Sequence, residues 1–245
     1  MLITVSCQKT NDQLIRNANA DIDIYYGIAD DFVSNVPVYY NYLSDYEKKR
    51  ANNFKFETDR NCYISLHALL RVELSGILKT TPASLVIEKT EAGKPFVPGV
   101  KMPISISRSR NLFAFVIGRG RQIIGIDIEK MKFEADFPGI VKNYFSVKEQ
   151  QLIFSTDDTD DQIRNFLEIW TRKEALLKAI GIGLSVSLDK IQLIDGENYI
   201  EIENMKIKSD KFKILSIIKG MSLLSVASSE GFNPKFKNFS ILSSK

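Results

Sequence analysis

Asp127 and Glu129 stand one residue apart in the run Gln122-Ile123-Ile124-Gly125-Ile126-Asp127-Ile128-Glu129-Lys130. Strand alternation puts both carboxylates on one face and Ile126 and Ile128 on the other. Like charges this close are unfavourable unless a cation or a basic side chain lies between them, and paired hard oxygens suit magnesium rather than zinc. A strand end with one solvated face produces the same pattern. A third carboxylate, Glu174, falls inside a helical apolar stripe of Ile163, Leu167, Trp170 and Leu177, where it needs a partner. Lys178, one turn on, is spaced to be that partner, as in the ion pairs common on exposed helices. Basic and hydroxyl groups complete the set: Arg50, Lys89, Lys94 after Gly93, and the run Ser105-Ile106-Ser107-Arg108-Ser109-Arg110. Planar paired donors and point charges of this kind suit phosphates, although each one taken alone reads as solvated surface.

These residues need elements to hold them. Ile22, Ile24, Tyr26 and Ile28 alternate over residues 21–28 and predict a strand, and helices are predicted over 44–55 and 59–79. Ser44-Asp45-Tyr46-Glu47 has the form of a capping box. Short strands follow at 84–87, 104–107, 112–117 and 122–128, and Gly118-Arg119-Gly120-Arg121 predicts a hairpin joining the last two. Pro95, Pro98 and Pro103 mark a turn-rich loop over 93–103. The second half repeats this order, with a strand ending near Glu129, a second capping box at Ser146-Val147-Lys148-Glu149, a long helix from about Gln162 to Ile180, and strands near Tyr199, Phe212 and Leu223. His67-Ala68-Leu69-Leu70-Arg71 also resembles Glu174-Ala175-Leu176-Leu177-Lys178. The reading is a diverged duplication: an α+β chain of two pseudosymmetric lobes, 1–122 and 123–245, each with helices packed on a small antiparallel sheet, and a ligand cleft between them.

The 245 residues carry 33 basic and 30 acidic side chains, a formal charge of +3, with 44% hydrophobic and 26% charged residues. That is an ordinary globular composition whose charge gives nucleic-acid binding no support. Cys7 and Cys62 are too few for a disulfide framework, and with His67 the only histidine, structural zinc and two-histidine mechanisms are excluded. Residues 1–13 lack a basic cluster followed by an apolar run, and the longest apolar stretch, 112–117, is too short to cross a bilayer. A cytoplasmic protein without a membrane partner is expected. Residues 157–161 lack the glycine of a calcium loop, Gly118-Arg119-Gly120 is not a dinucleotide fingerprint, and neither a Walker A loop nor a Gly-x-Ser-x-Gly elbow occurs.

Taken in order, Gly125-Ile126-Asp127-Ile128-Glu129, Phe145-Ser146-Val147-Lys148-Glu149 and Trp170-Thr171-Arg172-Lys173-Glu174-Ala175-Leu176-Leu177-Lys178 resemble the 4'-phosphopantetheinyl transferases of the surfactin-synthetase-activating type, with Gly93-Lys94-Pro95 in support. The resemblance runs from about Ser44 to Leu184. It implies a magnesium-dependent enzyme of two α+β lobes that moves phosphopantetheine from coenzyme A to a serine of an apo acyl or peptidyl carrier protein. By the same resemblance Asp127, Glu129 and Glu174 hold magnesium, Glu149 is the general base, and Lys178 contacts the pyrophosphate and stabilises the departing 3',5'-ADP. Arg50, Lys89, Lys94, Ser107 and Arg108 fall where the family binds coenzyme A. The family's usual Asn-Ile-Ser-His segment is Ser105-Ile106-Ser107-Arg108 here, and an arginine pairs with phosphate but does not shuttle protons near neutral pH. Carriers of this kind are acidic, so Lys206, Lys208, Lys211 and Lys213 are candidates for contacting one, and a monomer is expected. Two other readings stay open from the residues: a non-catalytic module that binds coenzyme A or carriers, and a metal-dependent phosphohydrolase acting on coenzyme A.

Overall fold

The computed structural model describes residues 5–9, 21–120, 122–132, 136–183, 187–194, 197–200, 212–229 and 233–239. Along the chain come β1 (Val5–Lys9), β2 (Asp21–Ile28), a 3-10 segment (Ala29–Asn35), α1 (Val36–Tyr42), α2 (Asp45–Asn52) and α3 (Glu57–Leu78). Next are β3 (Glu88–Lys89), β4 (Pro95–Phe96), β5 (Ile104–Ser109), β6 (Leu112–Gly118) and β7 (Ile124–Lys130). Helices α4 (Phe137–Tyr144), α5 (Val147–Ile153) and α6 (Thr159–Ile180) precede β8 (Ile191–Ile194), β9 (Glu197–Ile200), β10 (Phe212–Lys219), β11 (Ser222–Ser228) and β12 (Asn233–Asn238). The α+β class is as expected. No helix among the described residues is long and apolar enough to cross a membrane.

Two four-stranded sheets form, ordered β12-β2-β6-β5 and β1-β10-β11-β7. Their neighbours are antiparallel except β1 with β10 and β12 with β2, which are parallel. The expected antiparallel sheets are therefore corrected to mixed ones. The parallel pairs join segments more than 200 residues apart, a distance that local alternation does not encode. The hairpin expected across 118–121 is also absent: β6 and β7 lie in different sheets, and the hairpin is β5–β6, with Arg110 in its turn at φ 54°. Residues 84–87 form no strand, and the short pairing begins at Glu88.

Packing explains why all seven residues of β6 are buried. Leu112, Ala114 and Val116 meet Ile124, Ile126 and Ile128 of β7 and Leu224 and Val226 of β11 in one apolar layer. The alternate residues Phe113, Phe115 and Ile117 pack on Leu66, Leu70 and Leu74 of α3. On the second sheet, Ala175, Leu176 and Ala179 of α6 cover Phe212, Ile214 and Ala227. The layers run helix, sheet, sheet, helix, and each fully buried Leu, Ile or Phe contributes roughly 1.5–3 kcal/mol. Because Ile126 and Ile128 take the layer between the sheets, Asp127 must face α6.

Both capping boxes form, and each has a second function. Ser44 N–H donates to Glu47 and Ser146 N–H to Glu149, each at 2.8 Å. Glu47 also accepts from Arg71 at 2.8 Å and Glu149 from Lys173 at 2.7 Å, each cation 24 residues further on along a long helix. Arg71 continues to the carbonyl of Leu85, and Lys173 to that of Leu188. Each clasp thus ties a short helix, a long helix and the loop that follows it.

Glu47 makes a testable contribution. Burial alone would raise its pKa, but His67, the Ser44 amide and Arg71 outweigh that and bring it down to about 2. A depressed carboxylate adds stability that is complete above the usual value near 4.5 and is lost as pH falls toward 2. Glu47→Gln should therefore cost about 3 kcal/mol in urea unfolding at pH 7 and progressively less on acidification toward pH 3. A deficit independent of pH would contradict this account.

Candidate active site

The site rests on a close approach between β7 and α6. A Cβ on Gly125 would lie 2.0 Å from the carbonyl oxygen of Ala175 and 2.3 Å from the amide nitrogen of Ala179, so only glycine lets the strand lie against the helix. Small residues on both sides bring the carboxylate face of β7 within reach of Lys178. The second support is a row of serines on β5, the edge strand of the other sheet. Ser105 Oγ accepts from the Ile126 amide at 3.2 Å, while Ser107 Oγ donates to Asp127 Oδ1 at 2.7 Å and Ser109 Oγ to Glu129 Oε2. Serine hydroxyls thus join two sheet edges that have no backbone ladder between them, and Ser107 and Ser109 fix both carboxylates.

Lys178 Nζ lies 2.6 Å from Asp127 Oδ1 and 2.8 Å from Ser107 Oγ. Asp127 is 3% exposed, and its other oxygen, Oδ2, is buried with no hydrogen-bond partner among the described residues. Burial, with repulsion from Asp127, raises Glu129 to about 7, and the same two causes raise Glu174. Among the described residues no three acidic, histidine or cysteine side chains already form a metal cage. The donor chemistry fits a hard divalent cation all the same: an orphaned carboxylate oxygen stands beside two carboxylates whose charge is penalised by burial and by each other.

A cavity of about 250 Å³ adjoins this cluster. Arg50, Lys89, Ser107, Arg108 and Lys178 line it, with Tyr63 and His67. Arg50 lies over the ring of Tyr63 (5.9 Å), Lys89 over Tyr46 (6.0 Å) and Arg108 over Phe54 (4.9 Å). Arg50, Lys89 and Arg108 have no ion-pair partner among the described residues. Burial and the neighbouring Arg50 lower the Lys89 pKa. Cations held apart on aromatic faces with no carboxylate in the wall make an anion site of high positive potential.

The structure brings together Arg50, Lys89, Ser107, Arg108 and Lys178, with Asp127, Glu129 and Glu174 beside them. It does not bring Lys94 there. Its ammonium donates to the carbonyls of Ile124 and Ala179, each at 2.8 Å, and burial lowers it to about 8, so Lys94 clamps the end of α6 to the start of β7. Glu149 is likewise elsewhere, fully buried, with Oε2 bonded to Lys173 and the Ser146 amide and Oε1 to the Leu193 amide at 2.9 Å. A base must reach the proton it removes. This carboxylate has no free face, and its match to the Glu47–Arg71 clasp points to a structural role. Lys206, Lys208 and Lys211 lie outside the described residues, and Lys213 is exposed on β10.

Glu149→Gln should thus destabilise the fold by about 3–5 kcal/mol, because it strands the Lys173 ammonium, whereas Glu149→Leu combined with Lys173→Met should recover most of that loss. Urea unfolding of the wild type and the two variants measures both. Full stability of Glu149→Gln with turnover lost would restore the carboxylate to the role of base.

Two cavity residues escaped the sequence reading. His67, buried with Nδ1 3.2 Å from Glu47, has its pKa lowered by burial, and it packs against Tyr63 at 4.2 Å between ring centroids with the rings tilted by 40°. The only available signal was their four-residue spacing on a helix, which also describes ordinary core. Ser109, read from the sequence among the hydroxyl groups suited to phosphates, instead bonds to Glu129, and the alternation Ser105, Ser107, Ser109 puts three hydroxyls on one strand face.

Comparison with known proteins adds to this geometry. Residues 123–217 match the family model described as the 4'-phosphopantetheinyl transferase superfamily. The chain is 32% identical over 155 residues to the 4'-phosphopantetheinyl transferase HetI of Nostoc sp., covering 62% of this chain and 64% of that protein. It is 30% identical over 164 residues to a phosphopantetheinyl transferase of Thraustochytrium sp., covering 60% and 56% respectively. A 4'-phosphopantetheinyl transferase of Bacillus subtilis is 28% identical over 166 residues, covering 66% of this chain and 70% of its own length. The chain therefore spans less than two thirds of the first two relatives.

Proposed function

We propose, from the premise that this chain belongs to the 4'-phosphopantetheinyl transferase superfamily, that it transfers 4'-phosphopantetheine from coenzyme A to a serine of an apo acyl or peptidyl carrier protein and releases 3',5'-ADP. The observation that carries this reading is the junction at Lys178, whose ammonium lines the cationic cavity and pairs with Asp127 of the carboxylate cluster. An anionic ligand and a hard cation would meet there.

In this reading Arg50, Lys89 and Arg108 bind phosphates of coenzyme A, and Ser107 with Asp127 aims Lys178 at the pyrophosphate. Asp127, Glu129 and Glu174 would hold magnesium, which when bound supplies neutralisation of pyrophosphate charge. The serine oxygen attacks the β-phosphorus and releases its hydroxyl proton to solvent, the bond from that phosphorus to the bridging oxygen breaks, and 3',5'-ADP leaves with its new negative charge facing Lys178. Glu149 and Lys173 keep α5 on α6, outside the chemistry. Equal 24-residue spacing in the two clasps supports two related lobes divided near residue 122, with the terminal strands β1 and β12 exchanged between them. The carrier is acidic and meets a basic surface that includes Lys213, and the enzyme is a cytoplasmic monomer.

Chromatographic measurement of 3',5'-ADP tests the reading. Release should require both coenzyme A and an apo carrier that retains its serine, and Arg108→Gln should raise KM for coenzyme A about tenfold or more through loss of a charged hydrogen bond. Release without any acceptor would replace transfer by hydrolysis.

A further inference from the structure

A second cavity, of about 380 Å³, shares no lining residue with the cationic one. Its apolar wall is Val36, Pro37 and Tyr40 of α1, and its polar side is Glu57, Arg60 and Asn61 from the first two turns of α3. Asn52 Nδ2 donates to the Tyr40 hydroxyl at 2.9 Å and fixes that ring, over which the Arg60 guanidinium sits at 5.9 Å. Asn61 is only 7% exposed, yet its amide has no hydrogen-bond partner among the described residues. Asn61 lines the cavity, where a polar ligand atom can bond to its amide. Glu57 and Arg60 also lack ion-pair partners among the described residues, although they are opposite charges three positions apart on one helix face.

This set of groups selects a ligand with two charges. A lone carboxylate would meet Arg60 but face Glu57, and a lone ammonium would face Arg60. A zwitterion with an apolar body satisfies every group, and the volume lies in the range of small-molecule sites. We propose that this cavity binds an apolar α-amino acid. Its carboxylate pairs with Arg60 and takes a hydrogen bond from the Asn61 amide, its ammonium pairs with Glu57, and its side chain packs on Val36, Pro37 and Tyr40. No residue of the proposed transferase site takes part.

Three probes of one skeleton decide the matter: phenylalanine, 3-phenylpropanoate without the ammonium, and 2-phenylethylamine without the carboxylate. Calorimetry or saturation-transfer NMR on the full chain should show phenylalanine binding at least about tenfold more tightly than either analogue. Arg60→Gln should abolish its advantage over the amine, and Glu57→Gln its advantage over the acid. Val36→Trp, which fills the cavity, should block all three probes, while coenzyme A binding and the thermal unfolding midpoint of the variants confirm intact protein. Equal binding of the three probes, no binding of phenylalanine, or ratios unchanged in both Arg60→Gln and Glu57→Gln would overturn the proposal.

Discussion

Gly125→Ala should cost about 3 kcal/mol or more of stability and abolish most of the proposed transfer activity. The added methyl would sit 2.0 Å from the Ala175 carbonyl, in the backbone of α6 rather than at the tip of a side chain that could turn away. Strand and helix would have to separate by more than 1 Å, and that displacement breaks packing on both sides of β7. It also moves Asp127 and Glu129 away from Lys178 and Glu174, and misplacement on that scale costs about a hundredfold in rate. Gly76→Ala is the matched control, since α3 has nothing within 4 Å of a Cβ at that position. Alanine there should leave activity unchanged and stabilise the helix by up to about 1 kcal/mol. Urea unfolding with a transfer assay on both variants makes the comparison, and wild-type behaviour of Gly125→Ala would refute the close approach on which the site depends.

Asp127→Asn should have the opposite profile, with stability kept and transfer reduced by about 10²–10³. Asparagine preserves shape and the hydrogen bond from Ser107, but it withdraws the charge that holds Lys178 at 2.6 Å and puts an amide NH2 in place of the buried, unpartnered Oδ2. Asp127 is also among the causes that raise Glu129 to about 7 and that raise Glu174, so its neutralisation relieves repulsion in the fold. Denaturation and turnover measured together distinguish this from general damage. A large loss of stability would mean that Asp127 is a structural acid, and unchanged turnover would remove it from the site.

Much of the carboxylate cluster was legible because it depends on local periodicity: alternation places Asp127 and Glu129 on one face, and the apolar stripe of α6 places Glu174. Both capping boxes were legible for the same reason, since their partners are three residues apart. What local spacing could not reveal is where a side chain is spent. Lys94 and Arg108 are both cations in loop or edge sequence, yet one is consumed by two carbonyls and the other stays open to the cavity, a difference set by how the 93–103 loop meets α6. Glu149 matched a family motif, but the motif does not say that Lys173, in the next motif, closes over it. The 24-residue spacing shared with Glu47 and Arg71 was the available clue. The parallel pairings of β1 and β12 depend on contacts across nearly the whole chain and leave no local trace.

The central claim is that Lys178 and its carboxylates serve phosphopantetheinyl transfer, and intact-mass spectrometry of apo carrier proteins incubated with this chain, coenzyme A and magnesium tests it most directly. The account predicts that a carrier gains one phosphopantetheine, that the gain disappears with chelator or when the carrier serine is replaced by alanine, and that Lys178→Ala abolishes it while coenzyme A still binds. Carriers left unmodified while coenzyme A occupies the cavity, or modified equally well by Lys178→Ala, would contradict it.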